Sequence, residues 1–115
     1  MVAHSPVVLD RVSKYLPRER AYLDIMAVAI AKSKSCGVAK PVVLDVGSNH
    51  GLFCLIAQTL GAQCVALEPQ RKLSHLISVS SALNGASQQV AVLNAAVVEK
   101  AGTAAIMVSQ WSGTK

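Results

Sequence analysis

Two acidic residues lie where an α/β fold would bind a ligand. Asp45 belongs to the apolar run Val42 to Val46, just before a glycine turn, and Glu68 directly follows the run Gln63 to Leu67. Glu68 comes 21 residues after Gly47, the first glycine of that turn. Parallel strands end at one edge of their sheet, and ligands bind in the crevice outside that edge. The two carboxylates are therefore predicted to face one site.

The turn Gly47-Ser48-Asn49-His50-Gly51 separates the first run from a helical pattern. Gly47 lets the backbone turn sharply beneath a ligand because it has no Cβ. Gly51 is expected to let the following helix pack close to the strand. The amino terminus of that helix offers N–H groups suited to a carboxylate or a phosphate. Asp45, beside the turn, could meet a cationic group.

An acidic residue at the position of Glu68 can accept hydrogen bonds from both hydroxyls of a ribose. A nucleoside-bearing cofactor is therefore the leading hypothesis, and Glu68 is expected to be mostly exposed when the site is empty. A dinucleotide fingerprint reads G-x-G-x-x-G, whereas Asn49 takes the place of a middle glycine here. Asp45 would repel a pyrophosphate and attract a methionine ammonium group. These residues favour S-adenosyl-L-methionine over NAD.

Simpler interpretations stand beside these. Asp45 could cap the helix after the turn, and Glu68 could be an ordinary solvent carboxylate. His50 is the one turn residue able to act as a base near neutral pH, but a loop histidine is more often a surface residue. No catalytic residue is assigned. The three cysteines show no zinc spacing, so no metal site is expected, and Cys54 and Cys64 are interpreted as small core residues.

The apolar runs alternate with helical patterns, which is typical of βαβ units with a parallel sheet. We predict a Rossmann-like α/β fold, incomplete, with three helices and about four strands. Pro17 is expected to open the first helix, which carries an apolar face that includes Tyr22 and Ile25. The predicted order is a helix over about 17–35, a strand over 42–46, a helix over 52–60, a strand over 63–67, a helix over 70–83, a strand over 90–93 and a fourth strand over 103–108.

The amino-acid composition and the net charge further limit the kinds of core and of binding partner that we expect. The chain of 115 residues is 52% hydrophobic but only 3% aromatic, so its core must consist of Val, Ala, Leu and Ile. The net charge of +5 is concentrated before Pro41, where a solvated helix face is the preferred interpretation. No nucleic-acid partner is expected, because no basic run is interleaved with aromatic residues. No membrane partner is expected either, since the apolar stretches are too short to span a bilayer, and a cytoplasmic location is the default.

Four short motifs, in order, resemble those of FkbM-type methyltransferases. Residues 42–51 resemble their first motif, which runs roughly V-D-V-G-A-N-x-G, with Ser48 in place of the usual alanine. Glu68-Pro69 is similar to their E-P pair, and residues 83–85 are similar to their L-N-G sequence. Asn94-Ala95-Ala96-Val97, followed by Gly102-Thr103, resembles their A-V…G-T stretch. The resemblance covers about residues 40–108.

The resemblance implies a class I, S-adenosyl-L-methionine-dependent enzyme that transfers a methyl group to oxygen. Its cofactor residues would be Asp45, Gly47, Ser48, Asn49 and Gly51 at the methionine end, Glu68 at the ribose, and Asn94 and Ala95 near the adenine. The acceptor would be a small-molecule or glycan hydroxyl. Residues 1–40 would form an N-terminal segment and residues 41–115 a partial cofactor-binding domain. This fragment alone is expected to be inactive, and the oligomeric state is left open. The alternatives are an NAD-type nucleotide-binding domain and a non-catalytic α/β interaction module.

Overall fold

The computed structural model describes the backbone of residues 6–103 and 105, and the side chains of residues 17–103 and 105. The chain divides into two compact units between Ala39 and Lys40. The first unit contains one helix, and the second contains the alternating strands and helices. The two acidic residues and the glycine turn all belong to the second unit.

Helix α1 spans Pro6–Ser35 and has Pro17 in its interior. The prediction that Pro17 opens this helix is wrong, since the helix begins eleven residues earlier. A proline inside a helix removes one N–H donor and crowds the carbonyl of the preceding turn, at a cost of about 3 kcal/mol. Helix propagation adds one hydrogen bond for each further residue. A single proline therefore does not have to mark the boundary of a helix this long.

The apolar face predicted for α1 is only partly buried. Ile30 is buried, whereas Tyr22 and Ile25 are 57% and 67% exposed. Lys32 and Lys34 lie in the last turn, where positive charge favours the helix dipole. Among the helices of the described residues, none combines the length and the hydropathy needed to cross a membrane.

The second unit is a three-stranded parallel sheet with two crossover helices, which confirms the predicted α/β class. Strands pair in the order β1-β2-β3, and each pair is parallel. The predicted fourth strand, 103–108, lies mostly outside the described residues. The elements are β1 (Val42–Val46), α2 (Leu52–Thr59), β2 (Gln63–Leu67), α3 (Arg71–Leu83) and β3 (Val90–Leu93).

The core lies between the sheet and these two helices, and small side chains dominate it. Ile77 of α3 is its largest fully buried side chain. Cys54 of α2 and Cys64 of β2 are buried, as expected, but a disulfide bond joins them, which the sequence analysis did not predict. The core cluster consists of Cys54, Cys64, Ala66, Ile77, Ala86 and Val90, with Val43 and Val92 packed against it.

The opposite face of the sheet carries exposed apolar side chains. Val42, Leu44 and Val46 of β1 alternate with buried or partly buried residues and are 54–64% exposed. Strands of a parallel sheet are usually covered on both faces. Within the second unit, the described residues place both helices, α2 and α3, against one face of the sheet.

Candidate functional site

The glycine turn after β1 is tied to the end of β2 by its backbone. The N–H groups of Gly47 and Ser48 both donate to the carbonyl oxygen of Leu67, at 2.9 and 3.1 Å. Gly47 and Asn49 have positive φ values of 75° and 52°. A left-handed conformation is easy for glycine and tolerable for asparagine. The sequence therefore supplies the two residue types that allow this double bend.

Ser48 stabilises the turn through hydrogen bonds of its side chain and its backbone. Its side chain is buried, and its hydroxyl donates to the carbonyl oxygen of Asp45 at 2.7 Å. The carbonyl oxygen of Ser48 accepts the N–H of Gly51 at 2.8 Å. An alanine, as in the first motif of the resembled family, could not make the first of these bonds. No local sequence pattern indicates this role of Ser48.

Glu68 is 3% exposed, so the expectation of an exposed carboxylate is wrong. Its Oε2 accepts the backbone N–H of Asn49 at 2.9 Å, and its Oε1 accepts the N–H of Gln70 at 2.8 Å. These two hydrogen bonds are charge-assisted, so they compensate the free-energy cost of removing the Glu68 carboxylate from water. The carboxylate can therefore be buried. Glu68 is not an ordinary solvent carboxylate.

Asn94 ties the loop after β3 to the same place. Its side-chain amide donates to the carbonyl oxygens of Glu68 and Pro69, both at 2.9 Å. The N–H of Glu68 in turn donates to Leu93 at 3.1 Å. Ala95 follows Asn94 at the exposed end of β3. The predicted adenine residues thus lie beside the predicted ribose residue.

Asp45 is partly buried and lacks a full set of partners. Its Oδ2 atom is buried and has no hydrogen-bond partner. Burial raises the pKa of the Asp45 carboxyl, a hydrogen bond from Ser48 opposes this shift, and the negative charge of Glu68 adds to it. No cation among the described residues contributes to the pKa of Asp45. The carboxyl does not cap α2, whose N-cap is Gly51 without a side-chain hydrogen bond.

Gly51 has a packing role that differs from the expected one. A Cβ at this position would come within 3.0 Å of Cγ1 and Cγ2 of Ile77. The close neighbour is therefore α3 and not the preceding strand. The φ of Gly51 is also positive, at 79°. Among the predicted cofactor residues, Gly51 is the one that the structure places against the core.

The other predicted residues meet at one edge of the sheet. Hydrogen bonds link Asn49, Glu68 and Asn94 directly, and Ser48 links Asp45 to the turn. His50 is exposed on the turn. A shallow cavity of about 240 Å³ adjoins this cluster without including either carboxylate, and it is lined by Arg71, Ser74, His75, Ser78, Val92 and Asn94. The sequence analysis had not singled out the α3 residues of this cavity.

The arrangement suits a ligand that donates hydrogen bonds or carries positive charge. Two carboxylates lie near each other, and the Oδ2 atom of Asp45 has no hydrogen-bond partner. An unpaired buried acceptor costs free energy until a donor reaches it. A phosphate placed here would be repelled. The geometry therefore favours a cationic or hydrogen-bond-donating ligand over a pyrophosphate.

Comparison with known proteins links the chain to a methyltransferase. No protein-family model matches it. Over 78 residues the chain is 32% identical to protein arginine N-methyltransferase 7 of zebrafish, Danio rerio. The aligned part covers 67% of this chain and 11% of that protein, so the chain spans a small part of its relative. The chain is thus similar, over most of its own length, to one segment of a methyltransferase.

Proposed function

We propose that the second unit binds S-adenosyl-L-methionine as the cofactor half-site of a methyltransferase. The observation that carries the proposal is the buried, unpartnered Oδ2 of Asp45, close enough to Glu68 for that charge to affect its pKa. A ligand ammonium group would supply both the missing donor and the missing positive charge. The similarity to a methyltransferase supports the same cofactor.

The residues present fit the parts of this cofactor. Asp45 would hold the methionine ammonium group. Glu68 would accept the ribose hydroxyls, because each carboxylate oxygen has a second lone pair beyond the one used by a backbone N–H. Asn94 and Ala95 would lie near the adenine. Gly47 leaves open space where a Cβ would otherwise stand, so the ligand can approach the backbone.

We further propose that the enzyme is of the FkbM type and that the acceptor is the hydroxyl of a small molecule or a glycan. When bound, the cofactor supplies an electrophilic methyl group on a sulfonium. Transfer of that group to an acceptor hydroxyl would also require a base for the hydroxyl proton. The four ordered motifs support this acceptor class.

A second acceptor class has support from the comparison. The zebrafish relative is by name a protein arginine N-methyltransferase, which favours a guanidinium nitrogen as the acceptor. A methyl-transfer assay with a labelled cofactor separates the two. Transfer to hydroxyl compounds but not to arginine peptides supports the FkbM type, and the opposite result overturns it.

Calorimetry with matched ligands tests the cofactor. S-adenosylhomocysteine carries the ammonium group, whereas 5′-methylthioadenosine has the same nucleoside without it. We expect S-adenosylhomocysteine to bind at least about tenfold more tightly, since a hydrogen bond to a charged group contributes about 1.5–3 kcal/mol. Asp45→Asn should remove most of that difference and leave the binding of methylthioadenosine unchanged. Tighter binding of NAD than of S-adenosylhomocysteine would overturn the proposal.

A further inference from the structure

The disulfide between Cys54 and Cys64 joins helix α2 to strand β2. Cys54 is in the first turn of α2, and Cys64 is the second residue of β2. Their Cα atoms are 5.3 Å apart, and the two residues are 0% and 1% exposed. The third cysteine, Cys36, is free and exposed in the other unit. The bond therefore joins two core positions that solvent does not reach.

These two elements carry the two halves of the site. Helix α2 begins directly after the turn that contains Asn49, and β2 leads directly into Glu68. The hydrogen bond from the Asn49 N–H to Glu68 Oε2 spans the junction between them. The disulfide joins the same two elements. One covalent bond therefore limits how far the two elements beside this hydrogen bond can separate.

The fully buried residues of α2 and β2 all have small side chains. The buried residues of α2 are Cys54 and Ala57, and those of β2 are Cys64 and Ala66. Alanine contributes little apolar area, and burial energy scales with area. The packing of α2 on β2 therefore depends on the disulfide more than it would in a core of leucine and isoleucine.

We propose that the Cys54–Cys64 disulfide is a redox-sensitive lock on the site. Reduction by a dithiol breaks the sulfur–sulfur bond, adds two electrons and two protons to form two thiols, and converts the dithiol into a cyclic disulfide. Without the covalent bond, helix α2 is free to separate from β2, and the Asn49–Glu68 hydrogen bond weakens.

The burial of the bond adds a kinetic property to this lock. Thiol–disulfide exchange requires direct attack of a thiolate on one sulfur. Because neither sulfur is accessible in the folded unit, reduction must wait for local opening. The oxidised state therefore persists under mild reducing conditions and is lost under stronger ones or when the unit opens.

Hydrogen exchange tests the lock without any ligand, so the result does not depend on the proposed cofactor. The test uses the variant Cys36→Ser, because this substitution removes the free, exposed thiol. Thiol titration in denaturant should give no free thiol before treatment with dithiothreitol and two after it. The amide of Asn49 should then exchange about tenfold faster or more, since a disulfide that closes a short loop stabilises the fold by more than that factor.

The variant Cys54→Ala/Cys64→Ala provides the matched control. Its Asn49 amide should exchange at the rate seen in the reduced protein, and dithiothreitol should not change that rate. Should this variant fail to fold, the oxidised and reduced forms of the single variant still give the comparison. Two free thiols that persist after treatment with oxidised glutathione would overturn the proposal. Equal exchange rates for Asn49 in the two redox states would overturn it as well.

Discussion

The ends of β1 and β2 each carry a carboxylate, but the two side chains have different surroundings. Glu68 is almost completely buried, and each of its oxygens accepts a backbone N–H. Asp45 is less buried, and its Oδ2 has no partner. A satisfied carboxylate of this kind stabilises the turn that it binds. An unsatisfied carboxylate oxygen instead remains able to accept a hydrogen bond from a further group.

The backbone of the turn explains the difference. The N–H groups of Gly47 and Ser48 follow Asp45 closely and would be its nearest donors. Both donate to Leu67 at the end of β2 instead. The next N–H, that of Asn49, reaches Glu68. These backbone N–H groups of the turn thus donate to Leu67 and Glu68 at the end of β2. None of these three groups donates to the Asp45 carboxylate.

The largest expected effect comes from Glu68→Gln. An amide can accept at one oxygen only, and its NH₂ group would face a backbone N–H. Hydrogen bonds to charged groups contribute about 1.5–3 kcal/mol each, so we expect a loss of about 2–3 kcal/mol in the free energy of unfolding, measured in urea. The affinity for S-adenosylhomocysteine should also fall about tenfold or more.

Glu99→Gln is the matched control for this change, because Glu99 is exposed and the substitution removes the same charge. It should leave both quantities within error of the parent protein. A Glu68→Gln variant as stable as the parent would show that the two backbone hydrogen bonds contribute nothing. The contrast between the two strand ends would then lose its basis.

The helices and strands of the second unit could be predicted from the sequence, because Gly and Pro residues mark the ends of its apolar runs. The strands β2 and β3 have the predicted limits, and the carboxylates lie at the strand ends as expected. The burial of Glu68 was not predictable, since it depends on which way two backbone N–H groups point. The contact between Gly51 and Ile77 joins residues far apart in sequence. Neither effect leaves a local pattern in the chain.

The start of α1 and the disulfide were missed for related reasons. Pro17 resembles a helix start locally, and only the length of the helix shows otherwise. The two buried cysteines are ten residues apart and have no recognised spacing. Their pairing follows from the approach of α2 to β2, which is a property of the folded unit.

An intermediate effect is expected from a pair of glycine substitutions. Gly47 and Gly51 have similar positive φ values, of 75° and 79°, so alanine is strained at both. Only at Gly51 does the new Cβ also meet Ile77. The left-handed conformation costs about 1–2 kcal/mol, and overpacking adds about 1–3 kcal/mol. Gly51→Ala should therefore be less stable than Gly47→Ala, by about 1 kcal/mol or more in urea unfolding. Equal losses would mean that Ile77 adapts, and that Gly51 owes its place to the turn alone.

The smallest expected effect on stability comes from Asp45→Asn. This change should stabilise the protein at neutral pH, whereas Glu68→Gln should destabilise it. Burial raises the pKa of Asp45 in the folded protein above its ordinary value of 3.8. The folded state therefore binds this proton more tightly than the unfolded chain does. The resulting stability is fully present below pH 3.8 and is lost as the pH rises through the raised pKa.

Asparagine resembles the protonated carboxyl and does not titrate, so Asp45→Asn should keep the stability that the parent protein loses. We expect the urea midpoints of parent and variant to agree at pH 3 and the variant to be slightly more stable at pH 7. Asp24→Asn, at an exposed position of α1, should show no such pH dependence. A parent protein that is more stable than Asp45→Asn at pH 7 would show that the Asp45 carboxylate has a structural donor. In that case Asp45 would resemble Glu68, and its free oxygen could no longer support a ligand ammonium group.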